Sequence, residues 1–486
     1  MGQAGGGGLR AGVAKRDITT SEPGVRVADP VYAKALVLDD GRTRLAIVAM
    51  DAVAIGGICD ISDEFMPELR ERVERELGIL GGQVMVNASH THPAGPVLCD
   101  HAAQVERTFA AIAEAAANLA PASLGVGRGR EERIAINRTL RLKDGRQWTI
   151  RQAYPCPPED SVAELGSLDP DIGIVRVDHA DGRPLALLFN YACHPLIGVP
   201  GGGVTANFPG FACQVIEENL PGAMALYIQG AAGDVTEIWY KDVYRPRDCE
   251  PLGTMLGLST LRAWRGIETG PASLAATSSM VALPRRADFA TRLAAVEAEQ
   301  AELLKSLRFT SLNFKAFLPL YLQHSLDPEH PGDYGYRYLH DSQRGSLELT
   351  HRDAENRRQV DKYLSNLRAM ERLAKLQDDA ATLRRHEAIN AAAGEPTIEA
   401  EVQGLRLGQA VLVTSPAEVL TEVALRIKQA SPFADTWVAA FSNGYIHYGA
   451  SAADYDGGGY EVTECLLDAG WQELYEQTAA AVLARL

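Results

Sequence analysis

Gln83-Val84-Met85-Val86-Asn87-Ala88-Ser89-His90-Thr91-His92 is the stretch on which the reading of this chain turns. Its first half is short, mostly apolar and contains β-branched valine, the composition of a buried strand. Two histidines spaced two apart follow, and Pro93-Ala94-Gly95-Pro96 then breaks the chain. On a strand, residues two apart project to one face. The reading therefore sets His90 and His92 side by side where a strand opens into a loop, an arrangement that suits a transition metal. An isolated His-x-His is more often a pair of polar surface side chains. Chemistry is implied only if other strand ends supply more ligands.

Outward from this stretch, apolar runs alternate with helix-period segments. Residues 33–38 and 44–50 read as strands around an Asp39-Asp40-Gly41 turn, and Asp51 follows directly. Residues 62–77 and 105–119 read as helices, residues 172–177 and 185–190 as a second hairpin around Asp181-Gly182, and residues 223–228 as another buried strand. Strands return at 398–402, 405–413 and 437–441, and a helix closes the chain from Trp471 to Leu486. Interleaving of this kind predicts an α/β (α+β) class with a layered mixed-sheet core over residues 9–486. Between about 286 and 390 the pattern changes to long, charge-rich helices flanking Phe314, Phe317, Tyr321, Tyr334, Tyr336 and Tyr338. This is read as a helical insertion: a lid, an arm for homo-oligomer formation, or a solvated hairpin with packing aromatics.

The chain has 486 residues, and its net charge of −16 argues against nucleic acid as a partner, because the phosphates would be repelled. No apolar run is long enough to span a bilayer. Residues 1–8, with four consecutive glycines and no hydrophobic core, read as a flexible leader rather than a signal peptide. Seven scattered cysteines without a CxxC read as reduced thiols in a cytoplasmic protein.

Further strand ends repeat the opening pattern. His194 lies in Asn190-Tyr191-Ala192-Cys193-His194-Pro195 after an apolar run. Gln229-Gly230-Ala231-Ala232-Gly233-Asp234-Val235-Thr236 follows the next strand, and its glycines leave backbone N–H groups open, without the lysine of a phosphate loop. Glu418 follows the strand 410–413, and Ser442-Asn443-Gly444-Tyr445-Ile446-His447-Tyr448 follows the strand 437–441, with Tyr460 in Gly457-Gly458-Gly459-Tyr460-Glu461.

Together with Ala11-Gly12-Val13-Ala14-Lys15-Arg16-Asp17-Ile18-Thr19 and Asn137-Arg138, this ordered set resembles the neutral ceramidases, zinc-dependent amidases, over nearly the whole chain. The resemblance implies one Zn²⁺ held by His90, His194, Glu418 and Tyr448. It implies His92 beside the metal, with Arg138 and Tyr460 against the scissile group, and metal-activated water as the attacking group. The family's serine is replaced by Thr236, whose methyl restricts its rotamers. A hydrogen-bonding role survives this change more readily than a nucleophilic one. The family's secreted members carry a signal peptide and a C-terminal β-sandwich, and neither is read here. The segment 139–146 is polar and basic. The expected substrate is a small polar N-acyl compound, or ceramide itself, cleaved at a linear amide. An ester or lactone hydrolase, a non-catalytic zinc-binding homologue and a two-metal phosphoesterase using Asp51 and Asp234 are the alternatives.

Overall fold

The computed structural model describes residues 8–93, 95–151 and 156–486, so nearly all of the expected leader lies outside the described residues. An eight-stranded mixed sheet frames the larger of two compact units. Across the sheet run Met224–Gln229, Pro184–Tyr191, Asp171–His179, Ala120–Arg130, Arg10–Asp17, Tyr32–Asp39, Arg44–Met50 and Val84–Ala88. Inner neighbours are antiparallel. The two hairpins turn where the sequence signals it, on Gly41 and Gly182, both in the left-handed region that glycine adopts without a Cβ clash.

The outermost pair at each edge is parallel: Arg44–Met50 with Val84–Ala88, and Pro184–Tyr191 with Met224–Gln229. A parallel pair needs a crossover. Helices Phe65–Leu77 and Asn207–Asn219 supply them. The first buries Phe65, Met66, Leu69 and Val73 along one stripe and stops at Gly78, whose φ is 66°. A second sheet has the order Leu274–Pro284, Thr397–Leu407, Ala410–Thr414, Asp435–Ala439. Its last pair is again parallel, crossed over by helix Thr421–Ala430. Parallel pairing brings the C-terminal ends of both strands to one side, where α/β folds place their sites.

The layers follow from two-residue alternation. Leu36, Leu38 and Ile47 of the large sheet meet Leu405, Leu412 and Trp437 of the second sheet in one buried cluster. The opposite face, with Val37, Val48 and Val86, packs against the helices Phe65–Leu77 and His101–Ala117. Beyond the second sheet, Val402, Val411 and Val413 pack on Trp471 and Tyr475 of the last helix. Helix, sheet, sheet and helix form an α/β core, as the sequence predicts. Two buried asparagines lock the parallel pairs together. Asn87 donates to Ala440 O at 2.6 Å and accepts from Gln229 N at 2.8 Å. Asn190 donates to Ile228 O and Val438 O, both at 3.1 Å.

Some boundaries differ from those expected. Helix His101–Ala117 starts four residues early because Asp100 caps it, accepting from Ala103 N. The strand expected at 437–441 is Asp435–Ala439, and it cannot run on through Phe441, whose φ is 56°.

Residues 287–392 form the second compact unit. It contains helices Phe289–Ser306, Phe314–Leu326 and Gly335–Gln343 and nearly all of Glu348–Ala393. Phe317 stacks on Tyr363 with ring centroids 4.4 Å apart, and Arg372 forks onto Glu299 at 2.6 and 2.8 Å. Phe314, Tyr334 and Tyr336 are exposed in the chain, so the aromatic stretch packs only in part. Among the described residues no helix is long and apolar enough to cross a membrane. All seven cysteines are unpaired, with Cys59 and Cys156 exposed and the rest buried.

Candidate active site

The strand Val84–Ala88 ends before its histidines. His90 has a φ of 63°, so the two-residue alternation expected through it does not hold. His92 returns to the same point from the loop instead, and the two Nε2 atoms lie 2.9 Å apart. His194 follows the strand Pro184–Tyr191, and its backbone bridges to Thr236. Glu418 and Tyr448 are direct partners in a two-residue parallel ladder. His90, His194 and Glu418 are buried, and His92 is the member open to solvent.

Proton placement decides what this cluster can do. A carbonyl only accepts, so His90 Nδ1 donates to Val53 O at 2.6 Å. By the same rule His194 Nδ1 donates to Val235 O at 3.1 Å and also to Ala232 O. A ring whose single proton sits on Nδ1 presents Nε2 as a lone pair. Both Nε2 atoms face Glu418 Oε2, at 3.4 and 3.1 Å, while the other Glu418 oxygen accepts from the Tyr445 hydroxyl. Burial opposes the Glu418 charge, and it is positive charge on the side of His90 and His194 that lowers its carboxyl well below the usual carboxylate range. Burial and the Arg138 charge bring His194 down to about 4. His92 keeps an open edge, but desolvation of its ring where it packs into the cluster, with the neighbouring histidines, lowers it well below its ordinary value. A carboxylate oxygen and imidazole lone pairs crowd one point with no proton between them. Such donors repel unless a cation lies among them, and imidazoles with one carboxylate are ordinary zinc ligands. The donor set fits a metal.

Backbone strain concentrates here. His90, Phe441, Asn443 and His447 all hold positive φ, near 60°, which is unfavourable for residues with a Cβ. The strained loop is stitched down. Asn443 exchanges hydrogen bonds with Val86, its N donating to Val86 O and its Oδ1 accepting from Val86 N, both at 2.9 Å. Phe441 stacks on the His90 ring at 4.0 Å.

Opposite in character is the group around Arg138. This buried guanidinium donates to Gly233 O at 2.7 Å, to Tyr448 Oη at 2.9 Å and to Glu461 at 3.0 Å. Glu461 also accepts from Thr149 Oγ1 at 2.7 Å. The Tyr460 ring meets Tyr448 edge-on, centroids 5.6 Å apart. Burial pushes Tyr460 up to about 12, against the opposing charges of Arg151 and Arg138. Burial and the Glu418 charge push Tyr448 well above the ordinary phenol. Both hydroxyls keep their protons unless a metal intervenes.

Thr236 lies beside His194, and its Oγ1 donates to Glu237 at 3.2 Å. Glu237 also accepts from the N–H groups of Leu196 and Ile197, at 2.6 and 2.9 Å, and burial raises it to about 7. The two aspartates weighed for a second metal are engaged elsewhere. Asp234 accepts from Thr421 N, Thr421 Oγ1 and Asn137 Nδ2, and Asp51 accepts from Tyr32 N. Two of the three basic residues of the segment 139–146 are neutralised by ion pairs: Arg141 with Glu422, Asp454 and Glu164, and Arg146 with Asp144. Tyr445, Glu461, Glu237 and Arg151 were not singled out from sequence. Tyr445 and Glu461 lie inside quoted motifs, and adjacency to Tyr448 and Tyr460 was the one available signal.

No family model matches this chain, and no curated protein matches it in sequence. Solved structures do. Neutral ceramidase from Pseudomonas aeruginosa superposes with a TM-score of 0.61 at 16% identity, over 99% of this chain and 75% of that one. A ceramidase complexed with C2 superposes with a TM-score of 0.62, also at 16% identity, over 99% of this chain and 76% of that one. The fold is neutral ceramidase-like.

Proposed function

We propose that this chain is a zinc-dependent amidohydrolase that cleaves a linear C–N amide bond of an N-acyl compound. The observation that carries the reading is the unprotonated cluster of His90, His194 and Glu418 set beside the donors Arg138, Tyr448 and Tyr460. His90, His194, Glu418 and Tyr448 would hold the metal. When bound, it supplies Lewis-acid polarisation of a carbonyl and a water acidified towards ~7.

The chain's own side chains do the rest. His92, at the open side of the cluster, hydrogen-bonds the attacking water and the substrate oxygen beside it. Arg138 is fixed by Glu461 and Gly233 O, so it is oriented before substrate arrives. With Tyr460 it donates to the carbonyl oxygen as negative charge develops there. Thr236 is nearly inaccessible, and its proton is committed to Glu237. It therefore serves as a hydrogen-bonding residue beside His194, not as the attacking group. The ceramidase-like fold supports an N-acyl substrate, and the cationic groups near Tyr460 favour a smaller polar one over ceramide.

Incubating the purified protein with ceramide and with short N-acyl amino compounds tests this. Free amine should appear from the short compounds, stop on chelation and return with added zinc. Turnover of ceramide alone would contradict the small-substrate preference, and no turnover of any amide would contradict the reading.

A further inference from the structure

Among the described residues, Arg151 is a cation beside the site with no carboxylate to pair with. The two residues before it are tied to the site: Ile150 N donates to Arg138 O at 2.8 Å, and Tyr460 N to Thr149 Oγ1 at 3.4 Å. The half-buried Arg151 guanidinium lies over the Tyr460 ring, 3.7 Å from its centroid, with Arg138 5.5 Å from the same ring. Arg138 and Arg141 are both paired with carboxylates. Among the described residues no carboxylate lies within ion-pair distance of Arg151, and Gln152-Ala153-Tyr154-Pro155 adds none in sequence.

We propose that Arg151 binds a carboxylate of the substrate, so that the compound hydrolysed is an amide carrying an anionic group near its scissile bond. The proposal rests on the amide-hydrolase reading above. A planar guanidinium matches a carboxylate in a two-pronged pair, and stacking on an aromatic face holds the fork in place. Partial burial strengthens the pair relative to one in water and disfavours a guanidinium whose partner is a neutral phenol, that of Tyr460, and not an anion. One unpaired cation suits a monoanion better than a phosphate dianion. Tyr460, sandwiched between Arg151 and the metal-facing groups, sets the spacing from anion to scissile carbonyl.

The test uses matched neutral and anionic pairs on the full chain. N-hexanoylglycine against N-hexanoylglycinamide places the charge on the amine side, and N-hexylsuccinamic acid against its amide places it on the acyl side. In at least one pair the carboxylate should be preferred about tenfold or more in kcat/KM, mostly through KM. Arg151→Met should bring that ratio towards one, and Arg151→Lys should restore part of it. Calorimetric binding of the same compounds gives a readout independent of turnover. Carboxylate-selective binding that Arg151→Met removes, without hydrolysis of any compound, would keep the anion site and sink the hydrolase reading. Hydrolysis without preference in either pair, or a preference unchanged in Arg151→Met, would overturn the anion site.

Discussion

The side of the site around Glu418 and the side around Arg138 are both built from strand ends and short ladders, yet their protons are arranged in opposite ways. Around Glu418 one carboxylate oxygen and two imidazole Nε2 atoms face one another, because Val53, Ala232 and Val235 carbonyls claim the Nδ1 protons of both buried histidines. Around Arg138 the groups are rich in protons: a guanidinium, two phenols whose acidity burial suppresses, and Arg151. One side is completed by a cation and the other by an anionic oxygen. A carbonyl polarised between them becomes the anion that the second side is built to receive. Substitutions that act on one side should therefore leave the signature of the other intact.

The largest effect is expected on the acceptor side. His194→Ala should remove the metal and lower kcat/KM by more than the roughly 10²–10³-fold that losing one oxyanion donor costs. Metal content measured alongside the kinetics checks that the two losses coincide. On the donor side, Arg138→Ala should keep the metal and lower kcat by roughly 10²–10³-fold. It also strands Glu461 as a buried charge, so denaturant unfolding should show a loss of about 3–5 kcal/mol. Adding Glu461→Gln should recover part of that stability and none of the activity. A smaller effect belongs to Tyr445→Phe, which deprives Glu418 of one hydrogen bond. Metal affinity should fall by roughly 10–100-fold, the usual cost of an outer-shell partner, with substrate selectivity unchanged. Competition with a chromophoric chelator measures it.

The fold was legible where local chemistry and topology agree. Apolar runs ending at Ala88, Asn190 and Val413 announced strands, which end at Ala88, Tyr191 and Thr414, and the residues after each proved to meet. The site was legible only as far as ligands sit at strand ends. His90 and His92 converge, but through a left-handed residue and not through a shared strand face, which periodicity cannot reveal. Arg138 and Glu461 are 323 residues apart in sequence, and nothing local in either marks the pairing. The basic segment after Arg138 misleads for a related reason. Its charge is evident in sequence, while its ion pairs with Glu422 and Asp454 depend on tertiary structure. Arg151 is the converse, a single unremarked cation made conspicuous by the neutralisation of its neighbours.

The central claim is that the unprotonated cluster holds a metal and that His92 works beside it without being needed to hold it. Metal analysis of the purified wild-type, His90→Ala and His92→Ala chains tests this most directly. Stoichiometric zinc is expected in the wild type and in His92→Ala, the latter inactive, and its loss is expected in His90→Ala. A wild-type chain without stoichiometric zinc, or equal loss in both variants, would contradict the account.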